Sequence, residues 1–268
     1  MNEQALKTRI EDRRRSGIAL TTLGFGEDNY NDAMAVMLAD AGNGSHHYID
    51  SLQEGRRVLV DELSATLLTI AKDVKVQVEF NPAQVREYRL IGYEKRQLKR
   101  EDFNNDAVDA GDIGAGANVT AIYEITPAGS GATRVDPLRY GKYDAPKERS
   151  GELAFLRLRY KRPGHDASTL IERPIAAAPA REASARLRFA ASVAAFADAL
   201  RGGRYLDGYD YARIAALARD ARGDDPDGYR AGFVQLVNLA DGLSTHTAGA
   251  AKPFDVDPAQ LHPGVGLR

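Results

Sequence analysis

The spacing of apolar residues changes twice along this chain, and each change marks a different architecture. Near the N-terminus the order is strand, loop, helix, turn, strand. Ile18 to Leu23 is an almost continuous apolar and β-branched run, which predicts a strand covered on both faces in a parallel sheet. Gly24-Phe25-Gly26 ends it, since glycines let the backbone turn sharply at the carboxyl edge of such a sheet. Asn29, Asn31 and Asp32 offer caps for a helix over Ala33 to Ala41, with Met34, Met37 and Leu38 on its core face. Gly42-Asn43-Gly44 reads as a helix stop and a tight turn, and Ser45 to Ile49 as a second short strand. Residues 2–15 form a charged helix with a thin stripe of Ala5, Leu6 and Ile10. Arg13, Arg14 and Arg15 sit where cations favour the helix dipole, and read as a solvated helix end. After the second strand, Asp50 or Ser51 caps a third helix, in which Leu52, Val58, Leu59, Leu63 and Leu67 are spaced for one buried face.

From residue 74 the period becomes two. Val74, Val76, Val78 and Phe80 alternate with Lys75, Gln77 and Glu79, predicting a strand with one wet face. Val85 to Lys95 follows, with Tyr88, Leu90 and Gly92 on one face and Arg89, Ile91 and Tyr93 on the other. Val119 to Ile125, Leu153 to Tyr160 and Thr169 to Ile175 complete a set of antiparallel strands with long loops, which suggests a sandwich. Past an Ala/Pro linker at 176–180 the period returns to that of helices. Glu182 to Leu200 carries Leu187, Phe189, Val193 and Phe196, and Tyr209 to Ala221 carries Ile214, Ala215, Leu217 and Ala218. A last helix starts at Asp225-Pro226 and runs to Leu243, with Phe233, Leu236, Val237 and Leu239. Three short helices are too few for a large core and are expected to pack on the sandwich. The tail from Ser244 reads as disordered. The fold class is thus α/β plus all-β plus α, divided as 1–72, 73–180, 181–245 and a tail at 246–268.

Composition narrows the function classes. Of 268 residues, 43% are hydrophobic and 28% charged, as in soluble globular proteins, and the length suits one large or two ordinary domains. A net charge of -2 points to neither nucleic acid nor a membrane surface. With no cysteine there is neither a disulfide nor thiolate chemistry. No apolar run reaches the ~18 residues of a spanning helix, and the charged N-terminus has no secretory core.

Candidate chemistry is sparse. The loop at Gly24 to Gly26 is not followed by a G-x-G-x-x-G pattern, and Glu27, Asp28 and Asp32 would repel phosphate. His46 and His47 are adjacent in a strand, so they point to opposite faces and do not easily chelate one ion; one half-buried and one exposed histidine is expected. The acidic stretch Glu101 to Asn118 brings Asp102, Asp106, Asp109 and Asp112 close in sequence, but not in the order of a calcium loop, and reads as a solvated loop. Within it Gly111 to Gly116 reads as a hairpin turn, and Gly129 to Ser150 as an exposed loop. Asp224 to Gly228 is a helix start rather than a calcium loop. A hydrolase needs a nucleophile, a base and an orienting group. The histidines lie at 46, 47, 165, 246 and 262, and there is no Gly-x-Ser-x-Gly elbow. No catalytic, cofactor-binding or metal residue is assigned.

Longer words carry a resemblance. Gly17-Ile-Ala-Leu-Thr-Thr-Leu-Gly-Phe-Gly, the Asn29-Tyr-Asn-Asp cap, Leu38-Ala-Asp-Ala-Gly-Asn-Gly and Tyr48-Ile-Asp resemble the last third of a von Willebrand factor type A domain. Thr69 to Lys75, Val78 to Pro82, Tyr88 to Glu94, Glu101 to Asp106 and Val108 to Gly116 are similar to a bacterial subfamily in which that domain precedes a C-terminal domain of unknown function. The resemblance covers roughly residues 3–245. It implies a truncated remnant of a doubly wound type A sheet, an antiparallel sandwich-like domain, and short C-terminal helices. In the family a divalent cation is bound by an Asp-x-Ser-x-Ser loop, a threonine and a later aspartate, all upstream of the words matched here. Asp166-Ala167-Ser168 begins like that loop but has Leu170 at its fifth position, so no metal residue is carried over. The cation is implied only for a longer parent protein, and no cofactor is expected in this chain. The resemblance further implies a non-catalytic protein-binding or scaffold role, with a protein partner of unknown identity, at a bacterial cell envelope or periplasm. The alternative is a split or truncated gene product that needs a companion chain to complete its sheet.

Overall fold

The computed structural model describes residues 3–26, 30–93, 97–132, 134, 151–178 and 181–247. It is a mixed α/β protein with three sheets among those residues. In the first part, β1 (Leu20–Phe25) and β2 (Asn43–Ile49) are parallel and joined through α2 (Asp32–Ala41). Asn31 caps α2 as expected, accepting from the Met34 N–H. α1 (Glu3–Arg15) packs beside α2 and buries none of its own residues.

Gly26 turns the chain after β1 at φ +75°, as expected, while other glycines of this part serve close approach. Gly24 lies inside β1, where a Cβ would stand 2.6 Å from the Tyr30 ring. Gly42 does end α2, with its N–H donating to the carbonyls of Leu38 and Ala39. Gly44, expected in a turn, lies within β2 at a register shift, where a Cβ would be 1.8 Å from the Leu20 carbonyl oxygen. The strand starts immediately after the helix because Asn43 adopts φ +52°.

Two expectations about burial fail here. β1 is covered on one face only: Thr22 and Gly24 look towards α2 and its approach, while Leu23 and Phe25 are exposed on the other, Phe25 by 60%. The single third helix is replaced by α3 (Leu52–Arg56), a π-helical turn (Arg57–Asp61) and α4 (Leu63–Leu67). The wider π turn breaks the 3.6-residue spacing of the apolar stripe. Val58 is buried, but Leu52 is 92% exposed and Leu59, Leu63 and Leu67 are also exposed.

The second part is built on β3 (Thr69–Phe80), which begins five residues before the expected start. Register shifts on either side of Asp73, which has φ +53°, hide its first half from a period-two reading. β3 pairs with β5 (Gly111–Gly114) and β7 (Glu152–Lys161), and β7 with β8 (Ser168–Ala176), giving the antiparallel order β5-β3-β7-β8. β5 replaces the expected hairpin turn. A Cβ on Gly114 would lie 1.7 Å from the Ala65 carbonyl oxygen, so this glycine admits α4 against the strand. β4 (Val85–Ile91) and β6 (Ile122–Pro127) form a separate antiparallel pair. The two sheets meet through Phe80, whose ring is 4.6 Å from Tyr88 and 5.3 Å from Tyr123. Burial there pushes the Tyr123 hydroxyl up to about 12. In place of one expected sandwich, the described strands form a four-stranded and a two-stranded antiparallel sheet in contact at Phe80.

The expectation for β3 fails on its polar face. Lys75 is 1% exposed and Gln77 is also buried. A 3-10 turn over Arg100–Asn104 lays the buried Phe103 near this face, beside Arg159. β8 is an edge strand, with Pro174 near its middle and Glu172 and Arg173 beside it. Proline and charge on an edge discourage pairing with a further strand.

The third part contains α5 (Ala185–Leu200), α6 (Tyr211–Asp220) and α7 (Tyr229–Thr247). It has its own core of Phe196, Ile214, Ala215 and Val237. α7 starts later than Asp225, whose carboxylate instead accepts from the N–H groups of Arg230 and Ala231. α7 also extends to Thr247, so the tail does not begin at Ser244. Leu236 and Leu239, expected in the core, are exposed. The rest of the predicted tail, residues 248–268, and most of the predicted loop 129–150 lie outside the described residues.

The Gly44 contact predicts that Gly44→Ala separates β1 from β2 and lowers the thermal midpoint. Gly151→Ala, where a Cβ meets open space, should change stability by less than about 0.5 kcal/mol. Equal midpoints for the two variants in thermal melts would contradict this packing.

Candidate functional site

At the carboxyl end of the parallel pair, several polar side chains converge on the α2 side. His46 of β2 has Nδ1 2.9 Å from Thr22 Oγ1 and Nε2 2.6 Å from the Tyr30 hydroxyl. Asp32 Oδ1 is 3.3 Å from the same Nε2. The Tyr30 ring lies over Gly24 and beside Tyr48, and the Tyr48 hydroxyl donates to the Gly26 carbonyl at 2.9 Å. Burial, then the Asp32 charge, raise the Tyr30 pKa, so the phenol holds its proton. Glu27, Asp28 and Asn29 of this corner lie outside the described residues.

His47 points to the other face, as expected from strand geometry. It is half-buried, as His46 is, so neither is the exposed one of the pair. Its Nε2 is buried without a hydrogen-bond partner, and burial lowers its pKa. The nearby Arg57 guanidinium is held in its charged form by Glu54, which it binds through two nitrogens, and by Glu62 at 2.6 Å. This face therefore holds a neutral imidazole beside a closed ionic cluster.

The acidic stretch is latched to the sheet. Lys75 Nζ donates to the Asn105 carbonyl at 2.6 Å, and Lys161 Nζ to the Asp106 carbonyl at 2.7 Å. Both lysines reach Asp73 Oδ2, at 3.4 and 3.0 Å. Asp106 accepts from Ser168 and lies 3.6 Å from Arg159, which holds its pKa down. Arg14, at the end of α1, pairs with Asp109 at 3.2 Å. The expected solvated helix end and solvated loop are thus tied together here, with Asp109 still exposed. Asp112 accepts from the Asp73 N–H, and burial raises its pKa. Two lysines on Asp73 leave little net negative charge for a cation. Among the described residues, no three His, Cys, Asp or Glu side chains are grouped to hold a metal ion.

The three parts are joined mainly by charge. Arg89 of β4 pairs with Glu124 at 2.7 Å and Asp198 of α5 at 3.1 Å, and its guanidinium lies 3.9 Å from the Tyr205 ring centre. The Tyr229 hydroxyl donates to Asp61, and Gln53 donates to the Asp227 carbonyl at 2.6 Å. Alternation placed Arg89 opposite Tyr88 correctly, but no local signal in the sequence marks Asp198 as its partner 109 residues away.

The remaining sequence candidates stay apart. Asp166-Ala167-Ser168 leads into the antiparallel strand β8, and Ser168 binds Asp106 and Arg159. His165 Nδ1 is 3.2 Å from the Pro163 carbonyl, while the side chains of His246 and His262 lie outside the described part. No helix among the described residues is long and apolar enough to cross a membrane.

An α/β pair feeding a two-layer β unit with a helical cap defines the class, and comparison with known proteins places it in a family. Residues 65–243 match the family described as "Uncharacterized protein YfbK, C-terminal", and the chain belongs to it. A curated relative, "Uncharacterized protein YfbK" of Escherichia coli (strain K12), is 47% identical over 246 residues, covering 90% of this chain and 42% of that protein. The chain thus spans less than half the length of that relative. Among solved structures, the ArnB paralog VWA2 from Sulfolobus acidocaldarius aligns at a TM-score of 0.34 and 14% identity, over 76% of this chain and 48% of that one. So loose a superposition carries no argument.

The raised Asp112 pKa has a definite sign. Folding favours its protonated form, so no penalty exists below the ordinary carboxylate range. The penalty grows as pH rises through the window up to the raised value, and is constant above it. Asp112→Asn, which can still accept from Asp73, should therefore stabilise at neutral pH by no more than about 1 kcal/mol, and by nothing at strongly acidic pH. Chemical denaturation at the two pH values measures this. A gain at low pH alone would contradict it.

Proposed function

We propose that this chain is the C-terminal portion of a bacterial type A domain protein, and that it works as a non-catalytic protein-binding or scaffold module. The observation that carries this reading is the outer edge of β1. Its sequence, Leu20-Thr-Thr-Leu-Gly-Phe, has no charge and no proline, in contrast to the guarded edge at β8. The Leu20 N–H donates to the Gly42 carbonyl on the β2 side. Alternation then turns the N–H and C=O groups of Thr21, Leu23 and Phe25 outward. α1 lies beside α2, the place of a crossover helix that enters β1 from a parallel neighbour. The exposed Leu23 and Phe25 offer the apolar surface such a neighbour would share. On this reading the α/β part, near 1–72, completes its sheet with a further parallel strand. The parts near 73–180 and 181–245 form the rigid accessory body. The chain itself uses no cofactor, any divalent cation belongs to a longer type A protein, and the setting is the bacterial envelope.

The same edge favours a second reading, in which a companion chain supplies the strand by β-augmentation. Both readings make one prediction. Leu23→Pro removes an outward N–H without touching the β1–β2 ladder, so it should abolish strand capture at this edge while preserving the fold. Native mass spectrometry and a thermal melt of the isolated chain test the reading. Self-association or a broad melt, suppressed by Leu23→Pro, is expected. A lone monomer with a sharp cooperative melt, unchanged by the substitution, would count against it.

A further inference from the structure

His46 is the meeting point of four segments: β1 through Thr22, β2 through its own backbone, the β1–α2 corner through Tyr30, and α2 through Asp32 and Ala35. Its side chain is only 12% exposed. Counting protons orients the network. Thr22 Oγ1 reaches the Ala35 carbonyl oxygen at 3.0 Å, and that oxygen can only accept. The single hydroxyl proton of Thr22 therefore goes to Ala35, and the Thr22 oxygen accepts from His46 Nδ1–H at 2.9 Å. A neutral imidazole protonated at Nδ1 has its lone pair at Nε2, which takes the Tyr30 O–H at 2.6 Å. All three contacts then carry a proton. The other tautomer leaves the Thr22–Ala35 contact without one, and sends the Tyr30 proton to Asp32 at 3.5 Å, a poor hydrogen bond.

Adding a proton at Nε2 removes the acceptor that Tyr30 uses. We propose that His46 is a proton-operated switch at the β1–α2 corner. Protonation reverses the Tyr30–His46 hydrogen bond, turns the Tyr30 hydroxyl outward to Asp32, and forms a His46–Asp32 ion pair across the 3.3 Å gap. Among the described residues, these ionisable groups surround the ring. Asp32 faces it from α2 and favours the charged form. Tyr30 faces it from the corner, and no charged group faces it from β1, where Thr22 is the contact. Its β2 neighbours are His47, on the opposite face, and Tyr48, 5.2 Å from Tyr30. The amino end of α2 opposes the positive charge. The outcome is a change of one unit of charge and of hydroxyl direction at the carboxyl edge of the parallel pair, on its α2 side. It does not depend on what pairs with the outer edge of β1.

Nitrogen NMR of the imidazole, in the full chain across a pH titration, reads this directly. Neutral His46 should carry its proton on Nδ1, and the Tyr30 ring signals should titrate with the His46 midpoint. Asp32→Asn removes the ion-pair partner at 3.3 Å, so in that variant the Tyr30 ring signals should no longer follow His46 as they do in the unsubstituted protein. His47→Gln should leave that coupling in place. A neutral His46 protonated at Nε2, Tyr30 signals that ignore the His46 titration, or Tyr30 signals unaltered in Asp32→Asn would each overturn the switch. The tautomer is read on the unsubstituted protein, so the test survives a variant that folds poorly.

Discussion

A parallel strand cannot satisfy both of its edges with one neighbour, and the α/β part of this protein is governed by that fact. In the pair β1–β2, every second backbone group of β1 points away from β2. Some strands of the second part are paired or guarded. The outer edge of β8 carries a proline and charges, and β3 is paired on both sides. β1 combines an uncharged sequence, an open edge and an exposed face. The exposed leucines of α3 and α4 extend the same condition beyond the strand.

The second organising feature is a polar layer inside the β unit. Burying the Lys75 ammonium costs free energy unless charge and hydrogen bonds answer it. Asp73 and the Asn105 carbonyl supply that answer, and Lys161, which shares Asp73, is held in turn by the Asp106 carbonyl, so the stretch is fixed to the sheet at two points. Arg14 draws α1 to the same stretch through Asp109. Arg14–Asp109 and Arg89–Asp198 show that charge pairs help to join the parts. Such junctions fix orientation by charge pattern and weaken with salt when exposed.

Much of the architecture is legible from residue spacing. The β-α-β order, the antiparallel strands around Phe80 and the three C-terminal helices all follow from period and caps. The failures have local causes. The left-handed Asp73 interrupts β3, so half of its length has no alternation to read. Lys75 and Gln77 look like a wet face because the segment that covers them, around Phe103, comes 25 or more residues later. Gly44 and Gly114 look like turn residues, yet each is a gap for a carbonyl group of another segment. The apolar stripe from Leu52 to Leu67 is real in sequence but is broken by a π turn and left in water. The His46 network joins β1, the corner, α2 and β2, which periodicity cannot anticipate beyond placing the two histidines on opposite faces.

The account's central claim is that the outer edge of β1 is open to a partner strand, and amide hydrogen exchange resolved by residue tests it most directly. In the isolated chain, the amides of Thr21, Leu23 and Phe25 should exchange quickly while those of Thr22 and Gly24 remain protected by β2. Strong protection of all five in the isolated monomer would show that the edge is already satisfied, and the account of this part as an unfinished parallel sheet would be wrong.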